Sequence, residues 1–325
     1  MLNSLFRRLT NIVSPGGDRG RLTIVMYHRV MDQLDPLSPY TPTAAVFDRH
    51  METLANGFKV LPLSEAIERL KKGSLPRRAA CVTFDDGYRD NYTVALPVLK
   101  RYGLPATIFV STGFLDGGRM WNDSIIEAVR RAPGSSIDAR PIGFGVHTSR
   151  NDFERATTIA KLLDQLKYLP FTERSEKVNE FCGLIGATLP TNLMLSTNEV
   201  RAARSANIEI GGHTVNHPIL TQVDDHQARS EIVDSKAHLE DILREKVTLF
   251  AYPNGRPNQD YFVRHAAMVK EAGFVAAVST ASGAAKPDSD LFQLPRYAPW
   301  DKRKSRLQLR LVQNLLRPPP NPAYF

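Results

Sequence analysis

Two short segments of this 325-residue chain carry side chains whose types and spacing could do chemistry. In Thr83-Phe84-Asp85-Asp86-Gly87-Tyr88, two adjacent carboxylates end an apolar run. Buried together they would resist ionisation, and a divalent cation is one way to relieve that cost. A turn or helix cap is the plainer alternative, because Asp and Gly favour turns. In Gly211-Gly212-His213-Thr214-Val215-Asn216-His217-Pro218, two histidines stand four residues apart. That spacing would bring both onto one face of a helical turn, where they could share a metal; a chance solvent pair is the alternative. The glycines allow close backbone approach, and Pro218 limits the segment. Combined, Asp86, His213 and His217 offer three N/O ligands and leave a position for water, the pattern of a catalytic metal site.

Elements that could hold these residues recur along the chain. Strand candidates are Leu22–Tyr27, Ala80–Phe84, Ala106–Val110, Ile208–Ile210, Val247–Ala251, Phe274–Val278 and Phe292–Leu294. Helical patterns fall between them, clearest at Ser64–Lys71, Asn91–Tyr102, Asn198–Ala206, Gln227–Arg244 and Tyr261–Ala272. This alternation predicts an α/β fold, a parallel sheet with helices outside. Both chemical motifs then lie at carboxyl ends of strands, the active face of α/β barrels. Three more segments end strands: Met26-Tyr27-His28-Arg29-Val30, Phe250 to Gly255, and Leu294-Pro295-Arg296-Tyr297. A lone histidine is commonly structural, but the position of His28 favours a catalytic task. From about 121 to 195 the pattern turns helical and polar, which predicts an inserted cap or lid. The expected organisation is a tail over 1–20, a barrel over 21–300 and a basic tail over 301–325 that includes Pro318-Pro319-Pro320.

Composition is that of an ordinary globular protein, 42% hydrophobic and 23% charged, with a net charge of +8. Clusters such as Arg7-Arg8, Lys71-Lys72, Arg77-Arg78 and Lys302-Arg303-Lys304, continuing to Arg310 and Arg317, read first as solvated faces. Peripheral attraction to an anionic membrane is the functional alternative; nucleic acid is disfavoured, because no binding motif accompanies the charge. Cys81 and Cys182 suggest neither a disulfide nor a metal site. The first residues lack the apolar core of a signal peptide and no stretch would span a bilayer, so a cytoplasmic setting is expected.

The motifs resemble those of the NodB-type polysaccharide deacetylases, carbohydrate esterase family four, over about Leu22 to Arg296. Asp85-Asp86 is similar to the family's first motif, which implies that Asp85 is the base and Asp86 a metal ligand. His213-Thr214-Val215-Asn216-His217 is similar to the paired-histidine motif. Tyr252-Pro253-Asn254-Gly255 is similar to a third, which implies that the Asn254 N–H holds the oxyanion. There are two departures. Where many members carry an arginine before that proline, this chain has Ala251, and Arg296 is the candidate replacement. No histidine follows His265, so the acid cannot come from a late motif. Tyr27-His28-Arg29-Val30 instead resembles the permuted poly-N-acetylglucosamine deacetylases, which implies that His28 is the general acid. Trp121, at the start of the insertion, matches deacetylases of exopolysaccharide gene clusters.

The resemblance implies a distorted (β/α) barrel of about seven parallel strands. It further implies metal-dependent removal of N-acetyl groups from hexosamine units of a polysaccharide or its precursor. Zinc is the first expectation for the metal, with cobalt, nickel or iron as alternatives. Aromatic side chains, among them Tyr252 and Trp121, could offer ring faces to sugar. A non-catalytic carbohydrate-binding protein on the same fold is the rival, supported by Ala251. Hydrolysis of another bond is a third possibility, although Asp85-Asp86-Gly87 is not an aspartyl-phosphate motif.

Overall fold

The structure is a computed structural model that describes residues 2–317 and 322–324; the expected Pro318–Pro320 end lies outside them. Among the described residues the strands are β1 (Leu22–Tyr27), β2 (Lys59–Val60), β3 (Ala79–Phe84), β4 (Ala106–Val110), β5 (Ser136–Asp138), β6 (Val146–Thr148), β7 (Ile208–Gly212), β8 (Leu249–Ala251), β9 (Ala276–Ser282) and β10 (Leu294–Arg296). The helices are α1 (Leu2–Val13), α2 (Ala44–Gly57), α3 (Leu63–Lys71), α4 (Leu96–Tyr102), α5 (Trp121–Arg131), α6 (Asp152–Lys167), α7 (Phe171–Ile185), α8 (Thr197–Ser205), α9 (Asp225–Leu243), α10 (Val263–Glu271) and α11 (Lys304–Leu316).

Seven parallel strands run in the order β1-β3-β4-β7-β8-β9-β10. The last strand returns to the first, because the Met26 N–H donates to the Tyr297 carbonyl at 2.9 Å and the Tyr297 N–H to the Ile24 carbonyl at 2.8 Å. The result is a distorted (β/α) barrel. Its strands are near-continuous apolar runs because both faces are covered. Every residue of β3 and β4 is buried. Alternate residues enter two separate apolar clusters: Ile24, Cys81, Phe109, Ala251 and Val278 fill one, while Val25, Val82, Ile108, Phe250 and Ala277 join the other, beneath the helices. This period of two decides where the chemistry points. Ala79, Cys81 and Thr83 share a side of β3, and Asp85 continues it beyond the strand end.

Between β4 and β7 the chain leaves the barrel and builds α5, α6 and α7 around a core of its own, with Ile125, Val129, Leu162, Leu166 and Phe181 fully buried. The expected helical segment also holds a small antiparallel hairpin, β5 with β6. Its three-residue strands were too short and polar to show a period. The chain re-enters the barrel through α8, which Ser196 and Glu199 start with a reciprocal capping box.

Each terminal segment contains one helix among its described residues, α1 or α11. Helix α1 buries Phe6 and Thr10, with Phe6 set edge-on to Phe58. Helix α11 buries Leu307, Leu311 and Leu315 on one face. Among the described residues no helix is long and apolar enough to cross a membrane. Cys81 and Cys182 are both free.

Candidate active site

Carboxyl ends of the barrel strands meet in a cavity of about 480 Å³, with Asp85, Asp86, His213 and His217 at its base. Trp121 of α5 and Leu163 and Lys167 of α6 also line it, so the insertion covers the barrel mouth. His28, Asn254 and Thr280 complete the wall around the strand ends.

The two adjacent aspartates have opposite surroundings. Asp85 is 2% exposed, and the Arg296 guanidinium grips both its oxygens, each N–H···O separation being 2.7 Å. Arg296 is itself fixed, donating from Nε to the Ser279 carbonyl at 2.8 Å. Burial by itself would raise the Asp85 carboxyl, but Arg296 and His213 outweigh it and hold the group below the usual carboxylate range. A planar guanidinium suits this two-point grip and stays charged at any accessible pH. The end of β10 thus presents an arginine to the base candidate where Ala251 cannot.

Asp86 has no such partner. Its Oδ1 lies 3.3 Å from Nε2 of both His213 and His217 and makes no hydrogen bond among the described residues. The three potential ligand atoms lie within 4.8 Å of one another, all in buried residues. Bonds of about 2.0–2.2 Å at tetrahedral angles place ligand atoms about 3.3–3.6 Å apart, so the 3.3 Å separations fit donors around one cation. His213 is oriented for it, because its Nδ1 meets the Ala251 carbonyl at 2.7 Å and leaves Nε2 for the metal. Burial would raise the Asp86 carboxyl, yet the two imidazoles hold it well below its ordinary value.

The histidine pair converges by another route than the spacing suggested. Residues 213–217 are not helical; Thr214 and His217 adopt left-handed backbone at φ 64 and 53. That conformation is strained for a β-branched threonine. The loop is braced by Glu231 of α9, which accepts from the Val215 N–H at 2.8 Å, the Asn216 N–H at 2.7 Å and the Asn216 side-chain amide at 2.8 Å. Asp86 and Asn254 are left-handed too, at φ 75 and 57, so four non-glycine residues at this site carry unusual backbone. Gly211 has a steric reason: a Cβ there would sit 2.5 Å from the Phe109 ring.

The remaining candidates divide. His28 is exposed at the end of β1, and it lines this cavity and the two beside it. Trp121 lines the cavity, with the Arg174 guanidinium 5.0 Å from its ring centre. Tyr252 and Pro253 are buried and do not line it. The ring face of Tyr252 expected to meet sugar is covered by Tyr261, stacked at 3.9 Å, and its hydroxyl donates to the Phe292 carbonyl. Sequence reasoning missed Glu231, Ser279, Thr280 and Lys167. Glu231 left a trace, since it sits on the buried side of α9 with Ala228, Ile232 and Ser235.

The sequence model for polysaccharide deacetylases matches residues 72–277. This chain belongs to the polysaccharide deacetylase family. The YxkH protein of Bacillus subtilis (strain 168) is 24% identical over 278 residues, 85% of this chain and 70% of that protein. The poly-beta-1,6-N-acetyl-D-glucosamine N-deacetylase of Staphylococcus epidermidis is 32% identical over 114 residues, 31% of this chain and 39% of that enzyme. Among solved structures, the Streptococcus pyogenes deacetylase PplD, in complex with acetate, superposes with a TM-score of 0.59 at 20% identity, covering 91% of this chain and 98% of that one. The chain is accordingly a hydrolase of the family that removes N-acetyl groups from polysaccharides, and its buried Asp-His-His triad could hold a metal.

Proposed function

We propose that the chain hydrolyses the N-acetyl group of N-acetylhexosamine units in a polysaccharide or its precursor, using a divalent cation held by Asp86, His213 and His217. The observation that carries this reading is the Asp86 Oδ1, buried, without a hydrogen bond among the described residues and 3.3 Å from two imidazole nitrogens. An N/O donor set with a position to spare suits zinc, with cobalt, nickel or iron as alternatives. Such an ion supplies Lewis-acid polarisation of the acetamide carbonyl and lowers the pKa of water from about 15.7 towards about 7.

The chain's own groups supply the rest. Asp85, kept ionised by Arg296, accepts the proton of the attacking water. The Asn254 N–H donates to the developing oxyanion, a contribution of about 3–4 kcal/mol for one well-placed donor. An amine leaves poorly unless protonated, and His28 delivers that proton, a task typically worth about 10²–10⁴-fold. Trp121 offers the sugar a ring face at the cavity mouth.

The test is acetate release from defined N-acetylated oligosaccharides, with mass spectrometry locating the deacetylated residue. Release by the wild type and its loss in both Asp85→Asn and His28→Ala, with the fold intact, is the expected outcome. Sugar binding without acetate would favour the non-catalytic alternative.

A further inference from the structure

A second cavity, of about 780 Å³, adjoins the first and shares His28, Lys167, Asn254 and Thr280 with it. Its far wall is helix α11, which contributes Arg310, Gln313 and Asn314 from one face at i, i+3 and i+4, with Arg317 just past the helix end. Arg256, from the loop after β8, joins Lys167 on the near side. Four cations therefore face one space. Among the described residues the carboxylates near them are Asp301, 3.3 Å from Arg310, Asp164, which acts on Lys167, and Asp260, which acts on Lys167 and Arg256 and accepts the Arg256 backbone N–H at 2.9 Å.

From the cluster of Lys167, Arg256, Arg310 and Arg317 that lines it, we infer that this cavity binds an anionic group carried by the substrate. The inference rests on the deacetylase reading and narrows it: the saccharide is acidic, bearing a phosphate-type or carboxylate group close to the residue that is deacetylated. Guanidinium and ammonium donors recognise both oxyanions. The basic residues near the C-terminal end of the chain, which read as solvated in sequence, here become substrate contacts.

The test compares three N-acetylglucosamine oligomers of equal length: one neutral, one with a terminal diphosphate and one with a glucuronate. Wild-type kcat/KM should favour at least one acidic oligomer by at least about tenfold. Arg310→Gln/Arg317→Gln should erase that preference while leaving the neutral oligomer within about twofold of wild type. Preference for the diphosphate or for the glucuronate identifies the source of the charge. Equal rates on all three oligomers, or a variant that slows all of them alike, would overturn the inference. Equilibrium dialysis with pyrophosphate separates it from the catalytic reading. Asp86→Asn should still bind pyrophosphate, and adding the two glutamine substitutions should abolish binding. No binding, or binding unchanged by them, would overturn the inference even if no oligomer released acetate.

Discussion

Asp85 and Asp86 are neighbours in sequence, both buried, yet one is saturated and the other is not. Arg296 meets both oxygens of Asp85 at 2.7 Å, while Oδ1 of Asp86 faces two imidazole nitrogens at 3.3 Å and makes no hydrogen bond among the described residues. Under the proposed mechanism, the difference separates a group prepared for proton transfer from a group prepared for a ligand. The first has its charge compensated within the protein and its geometry locked. The second keeps an uncompensated lone pair, at a cost the fold bears only if something else fills the position.

Breaking the saturated side should have the largest effect. In Arg296→Met the Asp85 carboxylate would remain buried without its cation, which costs about 3–5 kcal/mol of stability at neutral pH. The sign follows from the depressed Asp85 carboxyl. The pair stabilises above the unfolded value of about 3.9 and loses that contribution as pH falls through the lower folded value. With the arginine gone, the carboxyl rises and the acid limb of the rate profile moves to higher pH. Urea melts and kcat/KM against pH check this; an unmoved acid limb would mean that Arg296 does not act on the base.

A smaller effect is expected at Asp123, which is buried and accepts from the Tyr88 hydroxyl at 2.9 Å. Burial pushes its carboxyl up to about 7, against the opposing pull of Arg29 and Tyr88 and with help from Asp86. A raised carboxyl works opposite to Asp85. It costs stability as pH climbs from about 4 to about 7, and the cost then stays constant. In metal-free protein, Asp123→Asn should therefore match the wild type below about pH 4 and become more stable towards pH 7. A difference independent of pH would count against this.

Much of the barrel was legible because strands covered on both faces must be apolar along their length, and β1 and β4 match the expected Leu22–Tyr27 and Ala106–Val110. The hairpin of β5 and β6 was not, since three residues per strand carry no period. At the site, residue types and strand-end positions were informative, and His213 and His217 do converge. The helical turn assumed for them was wrong, because left-handed Thr214 and His217 and the brace from Glu231 depend on tertiary contacts that spacing does not encode. Tyr252 was misread for a related reason: a motif places a residue on a loop but does not say which way its ring turns.

The account's central claim is that Asp86, His213 and His217 hold one cation while Asp85 does not. Titrating metal-free protein with zinc, followed by calorimetry, tests it most directly. The prediction is one equivalent bound by the wild type and by Asp85→Asn, with binding lost in Asp86→Asn and in His217→Ala. Zinc bound equally well after Asp86→Asn would contradict it.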